Sequence, residues 1–439
     1  MNKWQDSFSD EQIFYITPDV KRGIGLDTVL PGYHIVCLYP DPIISPLRKK
    51  GANIFCLSEK ERLDKLESYA TSGSLLTHPL VSEYIEMRSK HPNILVFKPS
   101  KKVEFLCSER GYRLLVNTRE LNDRFEDKVL FYELIRDKIV ENSVPGLTGR
   151  LKDMKFEMIV KELDLPFVVQ FAHGWAGKTT FFIDSEDGLE KITDKFPHTK
   201  VKVNKYIEGF TLLNNVCVLS DGNILMSPVA LQIGGIPELR EKKGVTCGRQ
   251  WPVDFIEADQ NKLITEITEK VGKLMFIDGF KGFFGLDFIV EKNSGKTYIS
   301  ECNARFTASS AFFTRLEADA GLVPMASFHL AAFLDRDYPF HYSQDENLSA
   351  SQLILRNSAV QPKYISGRNF GVFGMEGKTA VYLRDEYEPY LLEKGEFIYS
   401  RRSEHFVRSE DAEISRIETK DRVVGKPGQL GEWIKNLII

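Results

Sequence analysis

Cysteine is scarce in this chain, and the cysteines are scattered rather than clustered along the sequence. The 439 residues contain six cysteines, and no two of them form a CxxC pair. Zinc sites and disulfide frameworks both need closely spaced cysteines. The pattern therefore argues against both kinds of site, and it predicts reduced thiols in a cytoplasmic protein.

The chain also lacks an excess of charge and a long apolar run. Its formal net charge is -4, and no basic cluster indicates a nucleic-acid partner. The longest apolar run, at 322–334, is shorter than the about 20 residues that a membrane span needs. The start of the chain has no apolar segment of the secretory type. We therefore expect neither nucleic acid nor membrane as a partner.

Alternating strands and helices are predicted in the first part of the chain. Apolar runs of high strand propensity lie at 13–17, 34–40, 53–57 and 93–99, with polar helical stretches between them. Such alternation favours a parallel sheet. Residues 1–118 are therefore predicted to form a small parallel α/β domain.

A different pattern follows in the rest of the chain. Residues 126–140 have apolar side chains at helical spacing, and strands with turns then dominate to about residue 310. Beyond residue 335 short strands alternate with glycines and charged turns. We predict a central region at 119–335 and a β-rich C-terminal lobe at 336–439.

The stretch FVVQFAHGWAGKTTFFID, residues 167–184, contains Gly-Lys-Thr and so resembles a P-loop. A P-loop needs a helix directly after its lysine, because the helix N-terminus holds the phosphates. Here Lys178 precedes Thr-Thr-Phe-Phe-Ile, which favours a strand. We predict a strand–loop–strand hairpin in which Gly174 and Gly177 let backbone N–H groups approach anionic oxygens. An ordinary hairpin without a ligand is the alternative.

Four polar residues are predicted to converge on one face of a buried sheet. Asp287 lies in one strand-like run, and a turn leads to a second run that holds Glu301, Asn303 and Arg305. Strand residues two apart project to the same side. Carboxylate and amide oxygens suit Mg²⁺, and a guanidinium neutralises a phosphoryl group or binds a carboxylate. A solvated face with a local salt bridge is the alternative, which the apolar flanks disfavour.

The order of these motifs resembles the ATP-grasp superfamily. A glycine-rich hairpin is followed by NKYIEG at 204–209, then by G-x-D-F and E-x-N-x-R, and the resemblance covers about residues 120–335. It implies two α+β lobes that grip ATP, a small lobe at 150–208 and a large lobe at 209–335. The parallel α/β domain would precede this unit, and the β-rich lobe would follow it.

The resemblance implies roles on the ATP side of the site. Lys128 and Lys178 would reach the phosphates, and the hairpin would cover them as a mobile lid. Backbone groups of Lys205 and Ile207 would pair with the adenine edge, and Glu208 would lie near the ribose. The residues expected to bind ATP are Lys128, Gln170, Gly174, Gly177, Lys178, Thr179, Lys205, Ile207 and Glu208.

The resemblance also implies the metal and catalytic residues. Asp287, Glu301 and Asn303 would hold Mg²⁺, and Arg305 would bind the phosphoryl acceptor. Arg305 and Lys178 are therefore the catalytic candidates.

Gln170 departs from the family pattern. Most members carry a second lysine there, at the end of the strand before the glycine loop, and Lys178 or Lys202 is a candidate to replace the missing charge. Gln170 and the segment 229–251 also resemble a branch of peptide and amino-acid ligases, similar to pheganomycin-type peptide ligases and a carrier-protein glutamate ligase.

The family resemblance implies an ATP-dependent carboxylate–amine ligase that forms an amide or peptide bond through an acylphosphate. Its substrates would be small molecules or peptides, and Gln232, Arg249 and Arg305 are candidates to contact their carboxylates. Loading of an amino acid onto an acyl carrier protein and a non-catalytic nucleotide-binding role are the alternatives. A biotin-dependent carboxylase is disfavoured, because the β-rich tail has no Met-Lys biotinyl motif. The resemblance leaves a homodimer open.

Overall fold

The computed structural model describes residues 3–62, 64, 66–174, 179–240, 244–337, 339–345, 347–357, 368–402 and 411–438. These residues form a parallel sheet, a small antiparallel sheet and a large antiparallel sheet, with helices against each. In the described ranges, no helix combines the length and the apolarity that crossing a membrane would require.

The N-terminal domain is a five-stranded parallel sheet in the order β3-β2-β1-β4-β5. This confirms the predicted α/β domain. The strands are β1 (Ile13–Ile16), β2 (Tyr33–Cys37), β3 (Asn53–Cys56), β4 (Asn93–Val96) and β5 (Arg113–Leu114). The helices are α1 (Lys3–Asp6), α2 (Ile44–Lys49), α3 (Ser72–Leu75), α4 (Pro79–Glu86) and α5 (Lys101–Arg110).

Two short helices connect this domain to the rest, α6 (Arg119–Glu126) and α7 (Lys128–Ile135). The prediction of one helix over 126–140 is wrong, because one helix ends at Glu126 and the next begins at Lys128, with the non-helical Asp127 between them. Asp127 has extended backbone angles, and its carboxylate accepts the N–H groups of Val129 (2.8 Å) and Leu130 (3.0 Å). This N-cap starts α7 at Lys128 and so determines where that side chain points.

The small antiparallel sheet has the order β6-β9-β7-β8. Its strands are β6 (Gly146–Arg150), β7 (Phe167–Phe171), β8 (Thr180–Ile183) and β9 (Lys200–Lys205), and α8 (Phe156–Leu163) and α9 (Glu186–Lys195) accompany it. Val169, Val201 and Val203 lie in the core on one face, and the alternating residues face the opposite side. Strand β8 follows the Gly-Lys-Thr segment and pairs with β7, which confirms a hairpin in place of a P-loop.

The large sheet has the order β15-β14-β10-β12-β13-β16-β20-β19-β17-β18, and β11 pairs with β10. Its central strands are β10 (Gly209–Val218), β11 (Ile224–Met226), β12 (Ala230–Gly234), β13 (Thr246–Trp251), β14 (Gly282–Glu291) and β15 (Thr297–Asn303). The helices of this region are α10 (Ala258–Ile277), α11 (Ser310–Asp319) and α12 (Met325–Leu334).

The C-terminal region is rich in strands, as predicted. It contains β16 (Ala350–Arg356), β17 (Phe370–Glu376), β18 (Thr379–Arg384), β19 (Glu396–Arg401), β20 (Glu413–Thr419), β21 (Val424–Lys426), β22 (Gln429–Leu430) and α13 (Glu432–Ile438). Strand β16 pairs with β13, so the large sheet continues across residue 336. The strands of the C-terminal region and those of residues 209–303 therefore belong to one continuous sheet. The domain boundaries at residues 118 and 335 stay predictions.

The two faces of the large sheet pack against different partners. Leu212 and Phe284 share a core with Ile264 of α10. The opposite face contributes Leu213 and Trp251 to a core that also contains residues of the N-terminal domain, α11 and α12. The N-terminal domain therefore lies over the sheet face that carries the polar residues of the predicted site.

Candidate active site

Lys128 joins the glycine hairpin to the carboxylate strand. Its backbone N–H donates to the carbonyl oxygen of Ala172, where the hairpin loop begins, at 3.0 Å. Its ammonium group forms an ion pair with the Glu301 carboxylate. Burial lowers the pKa of Lys128, but attraction by Glu301 outweighs burial, so the pKa is raised. Lys128 therefore links the two predicted hairpins.

Asp287 and Glu301 are directly opposite each other on β14 and β15. Burial and the neighbouring carboxylate of Glu301 raise the pKa of Asp287. Burial also opposes the charge on Glu301, but Lys128 prevails and lowers its pKa to about 2. Two adjoining carboxylates, only one of which has a lysine partner, form a site that attracts a further cation.

Arg305 lies just after β15 and is held by four contacts, one of which is a hydrogen bond from its Nη1 to the carbonyl oxygen of Phe306 at 2.9 Å. Its Nη2 donates to Asn303 Oδ1 at 3.1 Å, and its Nε donates to Glu126 Oε1 at 3.0 Å. The guanidinium carbon lies 4.8 Å from the centre of the Phe97 ring. Sequence reasoning missed both Glu126 and Phe97, although Glu126 lies two residues before Lys128, which it did identify.

Lys202 is a buried cation next to Lys128. Its Nζ donates to the carbonyl oxygen of Ser300 at 3.2 Å, and the amide oxygen of Asn204, in the orientation that satisfies its neighbours, lies 3.1 Å away. Burial and repulsion by Lys128 lower the pKa of Lys202 to about 7. Lys202 stands directly across from Gln170 on the neighbouring strand. The chain therefore places a lysine one strand away from the position where the family pattern expects one.

The base of the hairpin is closed by Gly174 and Thr179. A Cβ on Gly174 would lie 1.6 Å from Thr179 Oγ1, so only glycine fits in this conformation. The N–H of Phe171 donates to the carbonyl oxygen of Thr179 at 3.1 Å. Two further predicted residues, Gly177 and Lys178, lie outside the described residues.

The hinge residues predicted to bind adenosine lie between the two lobes. The N–H of Lys205 is already bonded to the carbonyl oxygen of Pro145 at 2.9 Å, so this group does not face an adenine edge. Ile207 is buried against Val144. The side chain of Glu208 is exposed, and its carboxylate lies 3.3 Å from Lys292 Nζ. The adenine and ribose assignments stay predictions for the Lys205 carbonyl, Ile207 and Glu208.

Gln232 and Arg249 lie on the same sheet face as Asp287. Residues that pair across neighbouring strands share a face, and Leu213 on β10 pairs with both Asp287 on β14 and Ala230 on β12. Gln232 lies two residues after Ala230 on the same face of β12, and it pairs with Arg249 on β13. Arg249 is 2% exposed, and its Nε and Nη1 atoms have no hydrogen-bond partner in the described part of the chain. Residues 241–243 of the loop between them lie outside the described residues.

The donor set suits a magnesium nucleotide. Asp287, Glu301 and Asn303 offer hard oxygen atoms, and two lysines lie beside them, the half-buried Lys128 and the buried Lys202. The described residues contain no cluster of three or more histidine, cysteine, aspartate or glutamate side chains that would hold a metal without other ligands. Mg²⁺ shares its coordination sphere with phosphate oxygens, so two carboxylates and an amide are a sufficient protein contribution.

Comparison with known proteins decides the family of this unit. Residues 125–309 match the family model of the ATP-grasp domain. These residues form an ATP-grasp domain. They include Lys128, the hairpin, the hinge and all three predicted metal ligands.

Curated relatives of the grasp domain are carbamoyl phosphate synthases. The arginine-specific large chain of Halalkalibacterium halodurans is 25% identical over 215 residues, which are 47% of this chain and 19% of that protein. The chain of Geobacillus stearothermophilus is 24% identical, over 45% of this chain and 18% of that protein. This chain thus spans about a fifth of the length of these relatives.

Solved structures of similar fold cover nearly the whole chain. N5-carboxyaminoimidazole synthetase from Staphylococcus aureus, complexed with ADP, has a TM-score of 0.58 and 14% identity over 93% of both chains. Biotin carboxylase from Campylobacter jejuni has a TM-score of 0.60 and 16% identity over 92% of this chain and 86% of that chain. The likeness confirms a fold in which an ATP-grasp is preceded by a parallel domain and followed by a β-rich region. The peptide-ligase branch stays a prediction.

Proposed function

We propose that the protein is an ATP-dependent carboxylate–amine ligase. The observation that carries this proposal is the convergence of Asp287, Glu301 and Asn303 with Lys128 and Arg305 in one cleft. Oxygen ligands and cations at one point suit the transfer of a phosphoryl group between anions, where catalysis depends on positioning and charge neutralisation. The similarity to carbamoyl phosphate synthase supports the same class of reaction.

On the nucleotide side, Lys128 and Lys202 bind the phosphates of ATP. Both ammonium groups are at least partly withdrawn from water, and Lys202 has only neutral oxygen partners among the described residues. Asp287, Glu301 and Asn303 would hold Mg²⁺, which when bound offsets negative charge on the phosphates. Gly174 and Thr179 lie at the two ends of the glycine-rich segment, and Lys178 within that segment stays a predicted catalytic residue.

In the reaction, an oxygen of the substrate carboxylate attacks the γ-phosphorus, and the bond between that phosphorus and the oxygen of ADP breaks. The amine nitrogen then attacks the acyl carbon of the acylphosphate, phosphate leaves with the bonding electron pair, and the nitrogen loses a proton as the amide forms. Arg305 orients the reacting carboxylate, because Glu126 and Phe97 hold the guanidinium in place. Exclusion of water by the loop protects the acylphosphate.

On the substrate side, we infer a small molecule or peptide as carboxylate donor and an amine as acceptor. Gln232 and Arg249 extend the polar face of the sheet away from the metal ligands, towards the N-terminal domain. Cys302 takes no part, because it lies in the core on the opposite face, where burial raises its pKa.

The decisive experiment measures ADP release with panels of carboxylates and amines. Release of ADP and phosphate is expected only when both substrates are present. With a carboxylate alone, exchange of labelled oxygen between the bridging and non-bridging positions of the β-phosphate is expected, because formation of the acylphosphate is reversible. ADP release without any carboxylate would identify an ATPase, and a stable phosphorylated product would identify a kinase; either result would refute the ligase.

A matched pair of variants tests the site residues. Asn303→Ala and Glu301→Gln are expected to abolish turnover with an unchanged circular dichroism spectrum, because each removes a metal ligand. Glu291→Gln, on the outer part of the neighbouring strand β14, is the control and is expected to retain turnover. Normal rates in both site variants would refute the metal assignment.

A further inference from the structure

Arg249 is a buried charge that forms no ion pair with the residues that the structure describes. Its guanidinium is withdrawn from water, and two of its three nitrogen atoms have no hydrogen-bond partner in the described ranges. Burial, followed by repulsion from Arg416 and Arg22, lowers the pKa of Arg249 to about 9. An unpaired buried cation is costly, so such a group is retained where an anion binds.

The carboxylates near Arg249 are already bound to other arginines. Glu418 accepts from Arg315 at 2.7 Å, and Glu413 accepts from Arg416 at 3.0 Å. Asp19 is paired with Arg402. Glu413 attracts Arg249 electrostatically, but among the described residues none of these acids forms an ion pair with Arg249.

Arg22 brings a second guanidinium from the N-terminal domain. It follows β1, and its guanidinium carbon lies 4.3 Å from the centre of the Phe97 ring, just after β4. Strand order reverses between β1 and β4, since β2 and β3 lie on one side of β1, and β4 and β5 on the other. Ligands of open parallel sheets bind at the carboxyl ends of strands at such a reversal.

The position of Arg249 separates it from the reaction centre. Asp287 and Arg249 lie on β14 and β13, with β10 and β12 between them. Three strand spacings of about 4.8 Å place their backbones about 14 Å apart. Arg305, at the reaction centre, and Arg22 both contact the Phe97 ring, with guanidinium carbons 4.8 Å and 4.3 Å from its centre. One carboxylate therefore does not contact both the metal ligands and Arg249.

We propose that Arg249, Arg22 and Gln232 form a subsite for a second substrate carboxylate, one that is not phosphorylated. The proposal rests on the proposed function, because it concerns the substrates of that reaction. The second carboxylate belongs either to an amino-acid acceptor or to a dicarboxylic donor. Both sources present the same planar anion to the guanidinium fork.

Paired substrates distinguish the two sources. ADP release is compared between L-amino acids and their amides as acceptors, and between dicarboxylic acids and their monoamides as donors. A preference for the acid of at least about tenfold in kcat/KM is expected in one arm, and that arm identifies the source. Equal rates for acids and amides in both arms would overturn the proposal.

Variants assign that preference to the subsite. Arg249→Met is expected to raise the KM of the acid-bearing substrate about 10- to 100-fold and to leave the affinity for ATP unchanged, while Arg249→Lys retains part of the preference. Arg22→Met serves the same purpose with less effect on packing, since Arg22 is half-buried. Arg368→Met, an exposed arginine paired with Asp385, is the control. Folded Arg249→Met and Arg22→Met proteins that keep the full preference would overturn the proposal.

A binding measurement separates this proposal from the proposed function. Thermal unfolding is followed with succinate against succinamide and with L-alanine against L-alaninamide, each with a non-hydrolysable ATP analogue and Mg²⁺. Stabilisation by an acid and not by its amide, lost in Arg249→Met, supports the subsite even if no turnover is found. If the analogue binds and no acid stabilises the protein, the subsite is overturned while the ligase proposal stands.

Discussion

Exchange of Lys202 and Gln170 tests how this chain holds the phosphates of ATP. The two residues are register partners on β9 and β7, where paired Cα atoms lie about 4.5–5.5 Å apart. A lysine on either strand therefore reaches nearly the same point above Tyr132. We expect Lys202→Gln to weaken ATP binding and the double variant Lys202→Gln/Gln170→Lys to restore most of it.

The expected loss of ATP affinity in Lys202→Gln can be worked out from the surroundings of the Lys202 ammonium group. A pKa of about 7 in place of 10.5 means that the protein without ATP disfavours the charged form by about 5 kcal/mol. At pH 7 half of the lysines are then charged, so protonation costs less than 1 kcal/mol on binding. A charge-assisted hydrogen bond to phosphate contributes about 1.5–3 kcal/mol. Lys202→Gln should therefore raise the Kd of ATP about 10- to 150-fold.

Isothermal titration calorimetry measures both the affinity and the uptake of protons. The phosphates raise the lowered pKa of Lys202, so at pH 8 binding should take up nearly one proton, visible in buffers of different ionisation enthalpy. Affinity should fall as the pH rises above 7, and this slope should disappear in Lys202→Gln. An unchanged Kd in Lys202→Gln, or a double variant no better than the single one, would refute the assignment of Lys202.

Three further predictions concern stability, positioning and metal binding. Arg249→Met should raise the free energy of unfolding by about 1–3 kcal/mol, because it removes a buried charge that has no ion-pair partner among the described residues. Arg315→Met removes the nearer charged partner of Glu418 and leaves that carboxylate with Gln352 and the more distant Arg416, so it should lower the free energy of unfolding by about 1–3 kcal/mol. Chemical denaturation that gave both changes the same sign would contradict this reasoning. Glu126→Gln should lower kcat without changing the Kd of ATP, because the partners of Glu126 are Arg305 and Lys98, and neither is among the residues predicted to bind ATP. Steady-state kinetics with calorimetry will show whether kcat and the Kd of ATP change separately. Glu301→Gln should abolish the Mg²⁺-dependent part of the thermal stabilisation by ATP, and stabilisation equal to wild type would exclude Glu301 as a ligand.

Local patterns in the sequence were enough to predict the strands and the carboxylate hairpin. Glu301, Asn303 and Arg305 share a face because side chains alternate along a strand, which holds for any strand. The hairpin after Phe167 was predictable because strand propensity follows the Gly-Lys-Thr segment directly. The start of α7 is a local feature too, because the Asp127 side chain accepts hydrogen bonds from residues two and three positions later. The helical period alone placed the start of this helix wrongly, because the apolar spacing continues across Asp127.

Pairing between distant segments decided the rest, and it depends on register and burial rather than on local pattern. Lys202 is a candidate to replace the expected lysine only because β9 lies beside β7 with Gln170 opposite it. Phe97 meets Arg305 only after the N-terminal domain packs on the large sheet, and Glu126 reaches Arg305 from the end of α6. The sequence by itself thus determined which strands carry the metal ligands and the hairpin. Only the tertiary structure decided which cations surround them, because long-range packing selects the neighbours of each strand.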